Sequence, residues 1–155
     1  MFNIVLYEPQ IPQNTGNIAR TCAITGSRLH LIKPYGFIIS DKNLRRAGLD
    51  YWRDVEVYEY DNFDEFLISN FNSQIFLLSS KAEKIYTEAV FNDNDFLMFG
   101  SETSGVPENI HDKYFNTRLK IPMRNIESAR CLNLANSVSL VLYEALRQIC
   151  FLDLK

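Results

Sequence analysis

The sequence predicts an α/β protein, a mostly parallel sheet with helices on both faces. Three observations predict it. Short β-branched or wholly apolar runs recur at residues 3–8, 28–33, 75–78 and 96–99. Helix signals, with apolar residues at i,i+4 spacing, fall between most of them. The connections are short and contain Pro, Gly, Asn and Ser. Strands alternating with helices through such links argue a parallel sheet covered on both sides. A chain of 155 residues suits one domain spanning 1–155, with a sizeable core.

Pro9 and Pro12 end the first strand. Asn14 or Thr15 is expected to N-cap a helix running to about Thr25, with Gly26 as its stop. Ile18 and Cys22, and Ala19 and Ala23, would face the core. Asn17 and Arg20 stand at i,i+3 and share another face. With Asn14 and Gly16 they gather free backbone N–H groups and a cation at one helix start. That suits a phosphate or a developing oxyanion, although a capped surface helix reads the same way.

The second strand stops at Pro34-Tyr35-Gly36. Asp41 is expected to cap a short helix over 43–49. Arg45 and Arg46, followed by Tyr51, Trp52 and Arg53, interleave cations with aromatics. That mixture suits RNA, and packing roles for Tyr51 and Trp52 are the alternative. A third strand is expected over 55–58 and a helix over 61–69 with Phe63, Phe66 and Leu67 on one side.

The next strands end in unusual ways. Residues 75–78 break into Ser79-Ser80-Lys81. Residues 96–99 break into Gly100-Ser101-Glu102-Thr103-Ser104-Gly105-Val106-Pro107, and residues 119–121 into Pro122-Met123. Neighbouring strand ends that dissolve into polar backbone offer N–H and C=O groups to a ligand, and open α/β sheets bind ligands there. A last helix is expected over 132–150. Leu134, Val138, Val141, Ala145 and Ile149 form one stripe, and Ala135, Leu142, Leu146 and Cys150 a second. The combined arc is wider than one sheet face needs, which leaves room for a second subunit.

Charge is unevenly spread. Residues 1–53 carry +4, residues 54–95 carry −8 and residues 96–155 carry +1, for a net −3. An anionic partner is therefore admissible at the N-terminal third, and repulsion predicts that the acidic middle faces away from it. Cys22, Cys131 and Cys150 are far apart and odd in number, so neither a disulfide framework nor a zinc site is expected, and a reducing cytoplasm is the simple reading. His30 and His111 lack metal-ligand spacing, and His30 reads as structural. No apolar run approaches the roughly 20 residues of a membrane span. There is no GxGxxG after the first strand, no Walker motif, and no Ser/His/Asp or Cys/His set.

Three motifs in order resemble the SPOUT superfamily of methyltransferases. They are Ile11-Pro12-Gln13-Asn14-Thr15-Gly16-Asn17-Ile18-Ala19-Arg20, then Phe99-Gly100-Ser101-Glu102-Thr103-Ser104-Gly105, then Ile121-Pro122-Met123 with Arg130-Cys131-Leu132-Asn133-Leu134-Ala135-Asn136-Ser137. The stretches 44–51 and 141–145 add to the likeness, which is strongest to the bacterial tRNA (cytidine/uridine-34)-2′-O-methyltransferase branch.

The resemblance implies a C-terminal trefoil knot and S-adenosylmethionine as cofactor, held by Leu78, Ser79, Gly100, Glu102, Ile121, Met123, Cys131 and Leu132. It implies Arg20, Asn17, Glu102 and Asn133 as catalytic residues, with Asn14, Arg45, Arg46 and Tyr143 contacting substrate. Glu102 would pair with Arg20 or stand near the sulfonium. The implied substrate is tRNA, at the wobble ribose (cytidine or modified uridine) of leucine isoacceptors, and the implied assembly a homodimer. The same chemistry at another tRNA or rRNA ribose, or a non-catalytic protein binding RNA or an adenosyl ligand, are the alternatives. Departures are visible: Ser101 where Pro is common, Ser104 where Arg is common, Cys131 and Ala135 where Ser is common, Trp52 where His is common, and a longer run between Met123 and Arg130. Arg124, within that run, is a candidate to replace the missing Arg.

Overall fold

The computed structural model describes residues 1–38, 49–125, 131–152 and 154–155. The described strands are β1 (Asn3–Tyr7), β2 (Arg28–Ile32), β3 (Val57–Tyr60), β4 (Ile75–Leu78), β5 (Phe96–Phe99) and β6 (Arg118–Leu119). They form one sheet in the order β3-β2-β1-β5-β4-β6. Each neighbouring pair is parallel, from Leu29 opposite Val57 at one side to Leu78 opposite Leu119 at the other. Residues 43–48 of the expected helix over 43–49, with Arg45 and Arg46, lie outside the described residues.

Near-continuous apolar strands are what a sheet covered on both faces requires. Alternate residues go to opposite sides. Ile4, Leu6, Leu29, Leu31, Leu97 and Phe99 join a core with α1 (Pro12–Thr25) and the last described helix, α4 (Leu134–Gln148). Val5, Ile32, Leu77, Phe96 and Met98 join another with Phe66 of α2 (Phe63–Ser69) and Ile110 of α3 (Glu108–Lys113). Cys22 is fully buried in the first core.

Several boundaries moved for identifiable reasons. Helix α1 begins at Pro12, not after Asn14, because Pro at the first helical position needs no N–H partner. Its N-cap is Ile11, which has no capping side chain. Gly26 ends it as expected, at φ 66° with its N–H on the Cys22 carbonyl. Strand β3 sits two residues later than expected because a 3-10 turn over Leu49–Asp54 precedes it, and pairing with β2 sets the register. Trp52 packs partly buried against the first core, which favours its packing role.

Helix α4 starts at Leu134 because Asn133 is its cap, with the side-chain oxygen accepting from the N–H groups of Ala135 (2.9 Å) and Asn136 (3.4 Å). The wide apolar arc of α4 is mostly absorbed by this chain. Ala135, Val138, Val141, Leu142, Ala145 and Leu146 are all buried, so the arc itself is not a subunit face. The large apolar side chains that remain exposed on α4 are Leu140 and Tyr143.

Candidate active site

The three polar strand ends meet. Beyond β4, β5 and β6 lies a cavity of about 660 Å³ whose wall includes Leu78, Ser79, Gly100, Glu102, Ile121, Met123, Cys131 and Leu132. Every residue singled out from the sequence for an adenosyl ligand is therefore in one wall. Asn14 and Asn133 line it as well. Leu78, Ile121, Met123 and Leu132 supply apolar surface. Ser79, Ser80, Lys81, Ser104 and His111 supply polar groups elsewhere in the wall.

Gly100 is required by contact. A Cβ there would sit 2.5 Å from the Gly105 carbonyl carbon and 2.7 Å from its Cα, which are backbone atoms that cannot swing aside. The approach is close because Ser101 and Gly105 exchange backbone hydrogen bonds of 3.0 and 2.9 Å, closing a tight loop. Gly105 holds φ at 68°, a left-handed conformation that glycine adopts without cost from a Cβ.

That loop delivers Glu102 to the uncapped start of α1. Its Oε2 accepts from the Gln10 N–H at 2.8 Å, and its Oε1 from the Ile11 N–H at 3.2 Å and the Asn14 amide at 2.9 Å. A carboxylate at a helix N-terminus satisfies orphan N–H groups and complements the helix dipole. Asn14 in turn accepts from the Asn133 amide at 2.8 Å. Glu102, Asn14 and Asn133 thus form one relay that joins the N-termini of α1 and α4. The sequence left Glu102 between Arg20 and a sulfonium, whereas these bonds engage it at the start of α1.

Asn17 and Arg20 are exposed on α1 and do not line the cavity. Arg20 lies six residues beyond Asn14, roughly 9 Å along the helix. Tyr143 is 45% exposed on α4 and also stands outside the wall. Helices α1 and α4 pack against each other. The structure therefore brings together Asn14, Glu102, Asn133 and the adenosyl set within one chain, but not Arg20, Asn17 and Tyr143 with them.

Sequence reasoning missed His111 and gave Lys81 only as a polar end to a strand. His111 is 3% exposed in the cavity wall, and its Nδ1 has no hydrogen-bond partner. Burial lowers the pKa of its imidazole from the ordinary histidine value, and the Lys81 charge adds to this, so the protonated ring is disfavoured. A buried nitrogen without a partner costs about 1–3 kcal/mol. No periodicity points to His111, because its place depends on α3 folding beneath the cavity. Among the described residues no group of three or more His, Cys, Asp or Glu could hold a metal ion, and no helix is long and apolar enough to cross a membrane.

The SpoU rRNA Methylase family model matches residues 1–143. The tRNA (cytidine(34)-2′-O)-methyltransferase of Saccharophagus degradans is 47% identical over 152 residues, covering 97% of each chain. A solved structure described as giving insight into 2-OH methylation of C/U34 on tRNA is 44% identical, with TM-score 0.91 and 97% of each chain covered. An AdoMet-bound rRNA methyltransferase from Sinorhizobium meliloti, 20% identical, shares the fold at TM-score 0.84, over 96% of this chain and 56% of that one. On the extent of these matches, together with a cavity built from all three sequence motifs, the chain belongs to the SpoU rRNA Methylase family.

Proposed function

We propose that this chain is an S-adenosylmethionine-dependent methyltransferase acting on the 2′-hydroxyl of the wobble ribose, nucleotide 34, of tRNA, where cytidine or a modified uridine stands. The observation that carries the reading is the convergence of three separate motifs on one cavity, tied by the Glu102–Asn14–Asn133 relay. The names of the relatives support the position on tRNA. Leucine isoacceptors are the proposed substrates, residues 1–155 act as a single catalytic domain, and the cytoplasm is the proposed location.

When bound, the donor supplies an electrophilic methyl group, and the protein supplies position and electrostatics. Leu78, Ser79, Gly100, Ile121, Met123, Cys131 and Leu132 enclose the adenosyl part. Arg20 orients the ribose hydroxyl and stabilises the negative charge that develops on it. A guanidinium is a poor base, so the proton passes to a neighbouring phosphate of the RNA. Asn17 and Asn133 hold that geometry by hydrogen bonds, and Glu102 fixes the start of the helix that bears Arg20. Arg45, Arg46 and Tyr143 contact the tRNA. The acidic residues Glu56, Glu59 and Asp61 are exposed just before, along and just after β3, at the sheet edge opposite β6, which supports RNA approaching from elsewhere.

A homodimer is part of the proposal. Ile24 of α1 is 58% exposed, and Leu140 and Tyr143 of α4 are 44% and 45% exposed, on two helices that pack together. A second copy covering that surface would bring further groups toward Arg20. The knot of the C-terminal segment is likewise proposed, supported by membership in the family and by the return of the chain from edge strand β6 to a helix packed on α1.

The test is transfer of labelled methyl from S-adenosylmethionine to total small RNA from a strain lacking this gene, followed by mapping of 2′-O-methyl sites. Signal at the wobble ribose of leucine tRNAs is expected. Signal at another ribose moves the protein to a different substrate, and donor binding without transfer to any RNA overturns the enzymatic reading.

A further inference from the structure

We propose that Lys81 and Glu108 form a subsite at the rim of the cavity for the α-amino-acid end of the methyl donor, with Lys81 recognising its carboxylate. The inference rests on the donor reading above and deepens it.

Lys81 is the only Lys or Arg among the described residues of the cavity wall. It is held there by a turn at the end of β4. Its N–H reaches the Ser79 hydroxyl at 3.2 Å, and the Ala82 N–H donates to the Ser79 carbonyl. The ammonium meets the Glu108 carboxylate at 2.8 Å. Both side chains are more than half exposed, so the pair gains little by itself and can exchange partners readily. Glu102, the only carboxylate among the described residues of the wall, already receives three hydrogen bonds.

An adjacent cation and anion are the complement of a zwitterion. The donor carries an apolar-faced base at one end and an α-ammonium with an α-carboxylate at the other. The cavity wall offers apolar residues such as Leu78 and Met123 together with Lys81, and Glu108, itself not a wall residue, reaches the Lys81 ammonium. His111 lies beside the pair, nearly buried and with an unpartnered Nδ1. An RNA phosphate fits less well, because Glu108 would repel it where Lys81 attracts it.

Titration calorimetry on the full chain tests this with two probes, S-adenosylhomocysteine and 5′-methylthioadenosine, which lacks the amino-acid end. Lys81→Met is expected to weaken S-adenosylhomocysteine about tenfold, in keeping with loss of one charge-assisted hydrogen bond, and to leave methylthioadenosine unchanged. Glu108→Gln is expected to act in the same selective way with a smaller loss. Equal weakening of both probes, or of neither, overturns the subsite. Unchanged probe binding with weakened tRNA binding assigns Lys81 to the RNA and also overturns it. If neither probe binds the unsubstituted protein, the donor reading itself fails. Thermal melts of each variant exclude unfolding as the cause.

Discussion

The two ends of the sheet handle polar residues differently. At the amino end, His30 is 3% exposed, and its ring nitrogens meet the Tyr60 hydroxyl at 2.9 Å and the Asn3 side-chain oxygen at 3.1 Å. Tyr58, Phe66 and Phe96 pack around the ring. Every polar atom of that imidazole is satisfied inside the protein. At the carboxyl end, Glu102, Asn14 and Asn133 are satisfied by one another and by helix starts, yet they border an open cavity with an unpartnered His111 in its wall. The His30 cluster also borders a cavity, of about 680 Å³, lined by Asn3, Tyr58 and Tyr60, but a polar cluster whose ring nitrogens are both met by side chains specifies packing. A cluster that organises backbone around an opening, and leaves a nitrogen without a partner, specifies a site.

The largest expected effect is at Arg20. Arg20→Ala should lower methyl transfer by about 10²–10³-fold, the range for removal of one group that stabilises developing charge, while donor affinity stays near normal. Lost donor affinity would instead make Arg20 part of the cofactor site. Gly100→Ala comes next. Its Cβ would meet the Gly105 backbone at 2.5 Å, so the loop must shift, with an expected loss of about 3 kcal/mol in urea unfolding and weakened donor binding. Both readouts should move together.

The amino end should respond to pH and leave activity alone. Burial, with the nearby Arg28 charge adding to it, pushes the His30 imidazole from 6.5 to about 4 in the folded protein. Between those values the unfolded chain takes up a proton that the native state refuses. Stability is therefore full above pH 6.5 and falls as pH drops toward 4, by up to about 3 kcal/mol. His30→Gln should flatten that slope in pH-dependent unfolding while activity per folded molecule is unchanged. A change in donor affinity would break the separation of the two ends. Smallest is Leu140→Arg, expected to leave chain stability nearly unaltered because the side chain is 44% exposed, and to shift the sedimenting species to monomer if the proposed dimer uses that face.

Much of this was legible in the residues. The runs at 75–78 and 96–99 are the strands β4 and β5 without adjustment, because both are apolar throughout and end abruptly in Ser79 and Gly100. The residues singled out for an adenosyl ligand line one cavity, since they sit at or after strand ends and strand ends share an edge of the sheet. The start of α1 was misplaced because Asn14 looks like a cap in one dimension. In three dimensions a carboxylate from Glu102, far along the chain, serves that helix start, and Asn14 bridges to Asn133 instead. The arc of α4 was read as surplus because helical spacing counts apolar residues without knowing the depth of the layer they enter.

By itself, then, the sequence determined the alternation of strands and helices, the two-sided burial and the polar strand ends, because these follow from side-chain period and local backbone preference. Tertiary structure alone decided that Glu102 caps α1, that Gly100 must approach Gly105, that His111 enters the cavity wall and that Arg20 stands apart from it. Those depend on which distant segments the folded sheet sets side by side, and no local spacing encodes them.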